Sequence, residues 1–366
     1  MSITGDNIDM EQDIAQQPQP PKKSKKPKVH LDRAFTQQRL PAWQPILSPP
    51  WVIASFFIIF LIFTPIGIAI FFASQSVIET NELQYDNLCT MTINNQTAPV
   101  CSISKREIVV PALMKAPVYM YYKLTNFYQN HRRYAASRSD SQLGGTANIN
   151  PSDAQSTCAP ITFYQPTQDI TNETSSASVY VPCGLVAWSM FNDTFVLYSK
   201  DAGGNFNVLC DGPNAGNGNS SCTKKGIAWK SDVDVKFKYG ATGRNSSGGA
   251  TYYGEPTHLI PDVQDEDFIV WMRTAALPNF RKLYRIINVD IPAGTYYLDI
   301  EQRYPVSNFS GTKSVILTTS SWIGGKNLFL AIAYMAVGGL CFLLAAAFLV
   351  GYIIQKIKFR RSSNPI

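Results

Sequence analysis

Six cysteines, Cys89, Cys101, Cys158, Cys183, Cys210 and Cys222, fall in one stretch between two long apolar blocks, and Cys341 lies inside the second block. Such a set can ligate metal or form disulfides. No pair has C-x-x-C spacing, so neither a zinc site nor a thioredoxin-type dithiol is indicated. An even number of cysteines in a segment outside the cytoplasm reads as disulfides. Six cysteines admit fifteen pairings, and chain order favours neighbours: Cys89 with Cys101, Cys158 with Cys183, Cys210 with Cys222. Cys341 reads as a small apolar filler.

The remaining reactive residues form no recognisable constellation. The three histidines, His30, His131 and His258, have neither metalloprotease spacing nor a free cysteine nearby. There is no phosphate-binding glycine loop and no nucleophile elbow. The acidic cluster Asp262, Asp265, Glu266, Asp267 lacks EF-hand spacing and reads as a solvated loop. From Asn126 to Tyr134 aromatics interleave with His131, Arg132 and Arg133, which reads as a buried polar network with guanidinium groups paired to carboxylates and carbonyls. No catalytic residue, cofactor site or metal site emerges. Six N-x-S/T sequons do, at Asn95, Asn172, Asn192, Asn219, Asn245 and Asn308, all between the apolar blocks.

The apolar blocks organise everything else. Trp51 to Ala73 and Asn327 to Ile354 carry no charge, and about 20 helical residues cross a hydrocarbon core. Both read as membrane spans, the first as a retained anchor because no small-residue cleavage site follows it. Residues 1–50 hold seven Lys/Arg against five Asp/Glu, with five lysines between Lys22 and Lys28. The C-terminal end adds Lys356, Lys358, Arg360 and Arg361. The opposite flank of the first span is acidic, with Glu79, Glu82 and Asp86. The positive-inside bias therefore expects both termini in the cytoplasm. Charge beside a membrane excludes a nucleic-acid reading of the basic composition.

The expected division is a cytoplasmic tail at 1–50, a span at 51–73, a glycosylated exoplasmic domain at 74–326, a span at 327–354 and a cytoplasmic tail at 355–366. Residues 1–30 are polar and Pro-rich and cannot bury a core; their lysines suit anionic headgroups at about 1 kcal/mol each. Phe35, Arg39, Leu40 and Trp43 lie just before the membrane and are candidates for partner or membrane contact. Pro65 predicts a kink near residues 61–65. Gly338, Gly339, Ala347 and Gly351 make the second span smooth enough for close approach of a neighbouring helix.

The exoplasmic domain reads mainly as β. Asp232 to Tyr239 alternates apolar and charged residues and predicts a half-buried strand. Gly294 to Ile300, Lys313 to Thr319 and Val118 to Leu124 are similarly β-branched or aromatic. The expected fold is two transmembrane helices plus an antiparallel β-sandwich-like domain with long disulfide-bonded loops.

Several segments, in order, resemble one family. They are Phe35-Thr36-Gln37-Gln38-Arg39-Leu40-Pro41-Ala42-Trp43, the Asn126 to Tyr134 stretch, Pro182-Cys183-Gly184, Ser189-Met190-Phe191-Asn192-Asp193-Thr194 and Gly226-Ile227-Ala228-Trp229. Asp267 to Pro278, Asn308-Phe309 and Gly324-Gly325-Lys326-Asn327 complete the set. They resemble the cell division control protein 50 family, the β-subunits of type IV P-type ATPases that translocate phospholipids. The resemblance spans about residues 33–356. It implies a non-catalytic chain without cofactor, in a heterodimer with the ATPase α-subunit and in contact with membrane lipids. It implies a role in the folding, export and active cycle of that ATPase, in the endoplasmic reticulum, Golgi/endosomal system or plasma membrane. It also implies the pairings Cys89–Cys101 and Cys158–Cys183. The chain contains no Asp-Lys-Thr-Gly-Thr phosphorylation sequence. The competing expectations are an independent receptor or lectin-like glycoprotein, and an exoplasmic hydrolase.

Overall fold

The computed structural model describes residues 48–88, 101–146, 149–164, 178–216, 220–238 and 262–363. The helices are α1 (Pro49–Gln75), α2 (Arg132–Ala136), α3 (Asp140–Leu143), α4 (Pro151–Cys158), α5 (Leu185–Trp188), α6 (Glu266–Met272) and α7 (Leu328–Ser363). The strands are β1 (Leu83–Gln84), β2 (Cys101–Val110), β3 (Val118–Leu124), β4 (Phe163–Tyr164), β5 (Ser178–Val179), β6 (Thr194–Lys200), β7 (Phe206–Asp211), β8 (Cys222–Thr223), β9 (Phe280–Ile287), β10 (Gly294–Gln302) and β11 (Lys313–Thr318).

α1 starts on Pro49 and Pro50, where a missing backbone donor costs nothing. It continues through Pro65, which cannot bond the carbonyl one turn back. Only 17 % of the most apolar stretch of α1 and of α7 is buried, unlike the core helix of a soluble domain. The two helices pack antiparallel. Phe56 stacks on Phe348 at 6.0 Å, Phe60 meets Phe342 at 4.9 Å and Phe63 meets Tyr334 at 5.2 Å, so contacts climb one helix as they descend the other. α7 is longer than the expected span and carries Lys356, Lys358, Arg360 and Arg361 on continuous helix.

Between the helices lie two antiparallel sheets, ordered β1-β11-β3-β9-β8 and β2-β10-β6-β7, with a small β4-β5 pair. Period-two alternation explains them. Val118, Met120, Tyr122 and Leu124 of β3 point inward, as do Tyr296, Leu298 and Ile300 of β10 and Phe195 and Leu197 of β6. These side chains from both sheets form one core. A bulge in the β3–β9 pairing lets two successive β9 residues, Tyr284 and Arg285, both be buried.

One predicted strand is not a strand. Asp232–Lys236 forms a π-helical turn, closed by Phe237 N–H donating to the Asp232 carbonyl at 3.1 Å. The buried positions are Asp232 and Phe237, five residues apart, and Val235 faces solvent. Lys236 pairs with Asp232 at 2.7 Å across this turn, and Phe237 packs edge-on against Phe268. Tertiary burial of an aspartate and a phenylalanine overrode the alternating pattern.

Candidate functional site

Both chain segments that leave the membrane helices are bound to each other and to the sheet. Ile78 N–H donates to Thr319 Oγ1 at 2.9 Å, and Thr319 N–H returns a bond to the Ile78 carbonyl at 2.9 Å. Thr80 N–H donates to the Leu317 carbonyl, and Asn327 N–H donates to Ser74 Oγ, each at 2.9 Å. Arg281 reaches Glu79 at 3.3 Å. The β-domain is thus joined to the helix pair by a short hydrogen-bonded neck.

The four small residues of α7 divide. Gly338 is taken by the chain's own first helix: a methyl group there would fall 2.5 Å from the Thr64 hydroxyl. Gly67 of α1 makes the reciprocal approach to Met335. Gly339 and Gly351 have open space beside them, and Ala347 is exposed. Together with exposed Leu343 and Val350 they leave an apolar surface of α7 without a partner among the described residues. Phe35, Arg39, Leu40 and Trp43 lie outside the described residues.

The acidic cluster is neither a cation site nor a solvated loop. Asp265 caps α6, its side chain accepting from Asp267 N–H. Lys224 pairs with Asp265 at 2.5 Å and with Asp267 at 3.0 Å. Arg285 pairs with Asp267 at 2.6 Å, and Glu266 accepts from Gly226 and Ala228 N–H. At the other end of α6, Lys282 Nζ donates to the carbonyls of Val270, Trp271 and Arg273 at 2.6–2.9 Å. Burial, reinforced by the charge of Arg273, pulls the Lys282 amine down to about 7.

A second buried pair joins Lys313 to Asp193 at 2.7 Å. Asp193 also accepts from Tyr85 Oη, Arg303 N–H and Tyr304 N–H. Burial lowers the Lys313 pKa against the opposing pull of Asp193, and burial with Asp193 beside it drives the Tyr85 phenol well up. The composition does not announce these groups. Phase marks Lys282, in register with inward Tyr284, whereas β11 is buried at every position and Lys313 carries no such signal.

The Asn126–Tyr134 stretch divides along chemical lines. Gln129 is buried and accepts from Ala275 N–H, Asn130 donates to the Ala276 carbonyl, and Phe127 packs against Tyr134, Trp271, Phe280 and Phe309. Arg132 and Arg133 are exposed and make no ion pair among the described residues, so the expected guanidinium network is absent there. Amides and rings can satisfy themselves inside; two adjacent cations on a five-residue helix stay in water.

Cys158 and Cys183 are bonded, with Cα atoms 5.6 Å apart, and so are Cys210 and Cys222, at 5.2 Å. Cys101 is disulfide-bonded, and its expected partner Cys89 lies outside the described residues. Gly184 has φ +103°, and a side chain there would strike the Ser137 carbonyl, so Pro182-Cys183-Gly184 packs where only glycine fits. Cys341 is free and buried. Of the sequons, Asn192 is half-buried and Asn308 exposed; Asn95, Asn172, Asn219 and Asn245 lie outside the described residues.

A hollow of about 490 Å³ has Arg138, Asp140, Asp232, Lys236 and Arg273 on its walls. These are already paired, Arg138 with Asp140 at 3.0 Å and Asp232 with Lys236 and Arg273. Among the described residues no three His, Cys, Asp or Glu side chains gather as metal ligands. What the arrangement offers is surfaces: a helix face without a partner among the described residues, and a β-domain hydrogen-bonded to the helix pair.

These features define an integral membrane protein with two apolar helices and a disulfide-bonded, mainly antiparallel β-domain between them. A family profile described as LEM3 (ligand-effect modulator 3) family / CDC50 family matches residues 70–358, and the chain belongs to that family. It is 42 % identical over 356 residues to ALA-interacting subunit 3 of Arabidopsis thaliana, covering 94 % of this chain and 90 % of that protein. It is 42 % identical over 379 residues to cell cycle control protein 50A of Bos taurus, covering 95 % and 94 %. The phospholipid-transporting ATPase accessory subunit CRF1 of Saccharomyces cerevisiae is 36 % identical over 376 residues, covering 91 % and 86 %.

Proposed function

We propose that this chain is the non-catalytic β-subunit of a phospholipid-translocating type IV P-type ATPase, with both termini cytoplasmic and the β-domain exoplasmic. The observation that carries the reading is the similarity, over 91 % of this chain, to a protein named phospholipid-transporting ATPase accessory subunit. Three features of the chain support it. Two helices cannot enclose a lipid path, but the open face at Gly339, Ala347 and Gly351 admits a neighbouring helix closely. The charged groups of α6 and β9 are committed to internal pairs, which leaves them to hold a shape. The hydrogen-bonded neck between Ile78 and Thr319 ties the helices to the β-domain. A subunit that binds the ATPase on the membrane and exoplasmic sides at once favours whichever conformation fits both surfaces, and so shifts its cycle.

The test is purification in mild detergent followed by identification of bound chains. A large P-type ATPase in near-equal amount is expected, with lipid-stimulated ATP hydrolysis in the complex and none in this chain alone. ATP-dependent lipid transport by the isolated chain in vesicles would overturn the proposal.

A further inference from the structure

Trp322 is 78 % exposed, as open as Phe329 on the bare surface of α7, which is 77 % exposed. An apolar helix surface has the bilayer for solvent; a tryptophan placed before the helix needs its own explanation. The turn that carries it is well bonded. Ser321 N–H donates to the Gly324 carbonyl at 2.8 Å, and Gly324 N–H donates back to the Ser321 carbonyl at 2.9 Å. Ser321 Oγ adds a bond to the Gly324 carbonyl at 3.1 Å. Gly324, at φ +110°, closes the turn. The two residues at its tip are Trp322 and Ile323, where a turn in water ordinarily takes Asn, Asp, Gly or Ser. Turn conformation does not account for an apolar tip, so its surroundings must.

Those surroundings are the membrane boundary. Before the turn, Thr319 is bonded to Ile78, just past the end of α1. After it, Asn327 is bonded to Ser74 of α1 itself. Three extended residues span at most about 11 Å, so the Ser321 and Gly324 base is held within that distance of these two ties. Gly325 lies against Arg281, where a side chain would fall 3.1 Å from the guanidinium, and Arg281 pairs with Glu79. Exposed Lys326 sits between the tip and α7. Bare apolar side chains begin at once beyond it, with Phe329 and Ile332 of α7 beside Phe72 of α1. The tip therefore continues the surface that faces lipid. It is a projection and not a groove, so it inserts and does not receive. An indole has an apolar body and one N–H for water or a headgroup oxygen, and a lysine reaches phosphate from an apolar stem. These two residue types mark membrane interfaces. We propose that the Ser321–Gly324 turn is a membrane contact outside the two spans. Trp322 inserts among the phospholipid headgroups of the leaflet on the β-domain's side, with Lys326 beside lipid phosphate. This rests on α1 and α7 spanning the bilayer and not on the ATPase reading.

The test uses the full-length chain in phosphatidylcholine nanodiscs whose acyl chains are brominated near the glycerol or left plain. Bromine quenches only a nearby indole. The Trp322 signal is the difference between the unaltered chain and Trp322→Phe. That of Trp229, exposed in the β-domain, is taken in the same way from Trp229→Phe. Brominated lipid is expected to cut the Trp322 signal at least twofold and to leave that of Trp229 unchanged. A second measurement needs no variant. Phosphatidylcholine carrying a diazirine beside the glycerol is photolysed with the unaltered chain and with its copurified complex, and adducts are mapped by mass spectrometry. Trp322 or Ile323 should be marked in both, and Trp229 in neither. An unquenched Trp322 signal overturns the proposal, and so does an unmarked tip. Marking that is present in the chain alone and lost in the complex overturns it too, by giving the tip to a protein neighbour.

Discussion

Lys313 Nζ lies 2.7 Å from Asp193 Oδ2, although the residues are 120 apart in the chain and their side chains are 1 % and 0 % exposed. The pair ties the last strand to the loop before β6. Lys313→Met should destabilise the folded protein by about 3–5 kcal/mol, because it leaves a carboxylate buried without its counter-charge. The double variant Lys313→Met/Asp193→Leu should lose less than the sum of the two single changes. Thermal unfolding in detergent reads both; strict additivity would show that the pair is not coupled.

The cysteines should separate by position. Cys183→Ser opens the bridge to Cys158 and leaves that thiol free, at a cost of about 2–5 kcal/mol. Cys341 is unpaired within α7, and Cys341→Ser should lose only a little packing. Surface delivery and glycan maturation should fall for the first and stay near normal for the second. Equal delivery of the two would make the Cys158–Cys183 bridge dispensable.

Adjacent glycines of α7 should behave oppositely. Gly338→Leu drives a side chain into Thr64 and should disrupt the pairing of α1 with α7. Gly339→Leu meets open space, so the chain should fold and be glycosylated as usual while the copurified ATPase is reduced. Undiminished ATPase recovery with Gly339→Leu would place the partner on another face.

The N-terminal segment should divide into two functions. Deleting residues 1–30 removes five lysines and only scattered apolar residues, so assembly should persist while the ATPase rate changes. Such contacts are screened over about 8 Å at physiological salt. Deleting 33–43 removes Phe35, Leu40 and Trp43, which can dock specifically, and should reduce ATPase copurification. The readouts are bound ATPase and lipid-stimulated hydrolysis; the opposite pattern would sink this division.

The membrane anchors were legible because a span is a local property. An uncharged run long enough to cross hydrocarbon must satisfy its backbone by helix, whatever the rest of the chain does. The strands β3 and β10 were legible for the same kind of reason, since alternation at period two is written in consecutive residues; β11 was legible from its β-branched run alone. Even so, Asp232 to Lys236 shows the limit. The pattern was that of a strand, yet burial of Asp232 and Phe237, five residues apart, goes with a π turn.

What the residues determined alone was the organisation: two helices to anchor, a β-domain between them, cysteines close enough in order to pair. Only the tertiary structure decided how charge and small side chains are spent. Whether Gly338 or Gly339 meets the chain's own α1 depends on one rotation of a helix, about 100° per residue, which composition does not encode. Whether the acids at 265–267 bind solvent or Lys224 and Arg285 depends on strands far away in sequence closing over α6. Likewise Asp193 meets Lys313 only when β11 packs into the sheet. Contacts of that kind form after long loops have closed, and it is the shared core, not the local chain, that makes a buried charge tolerable.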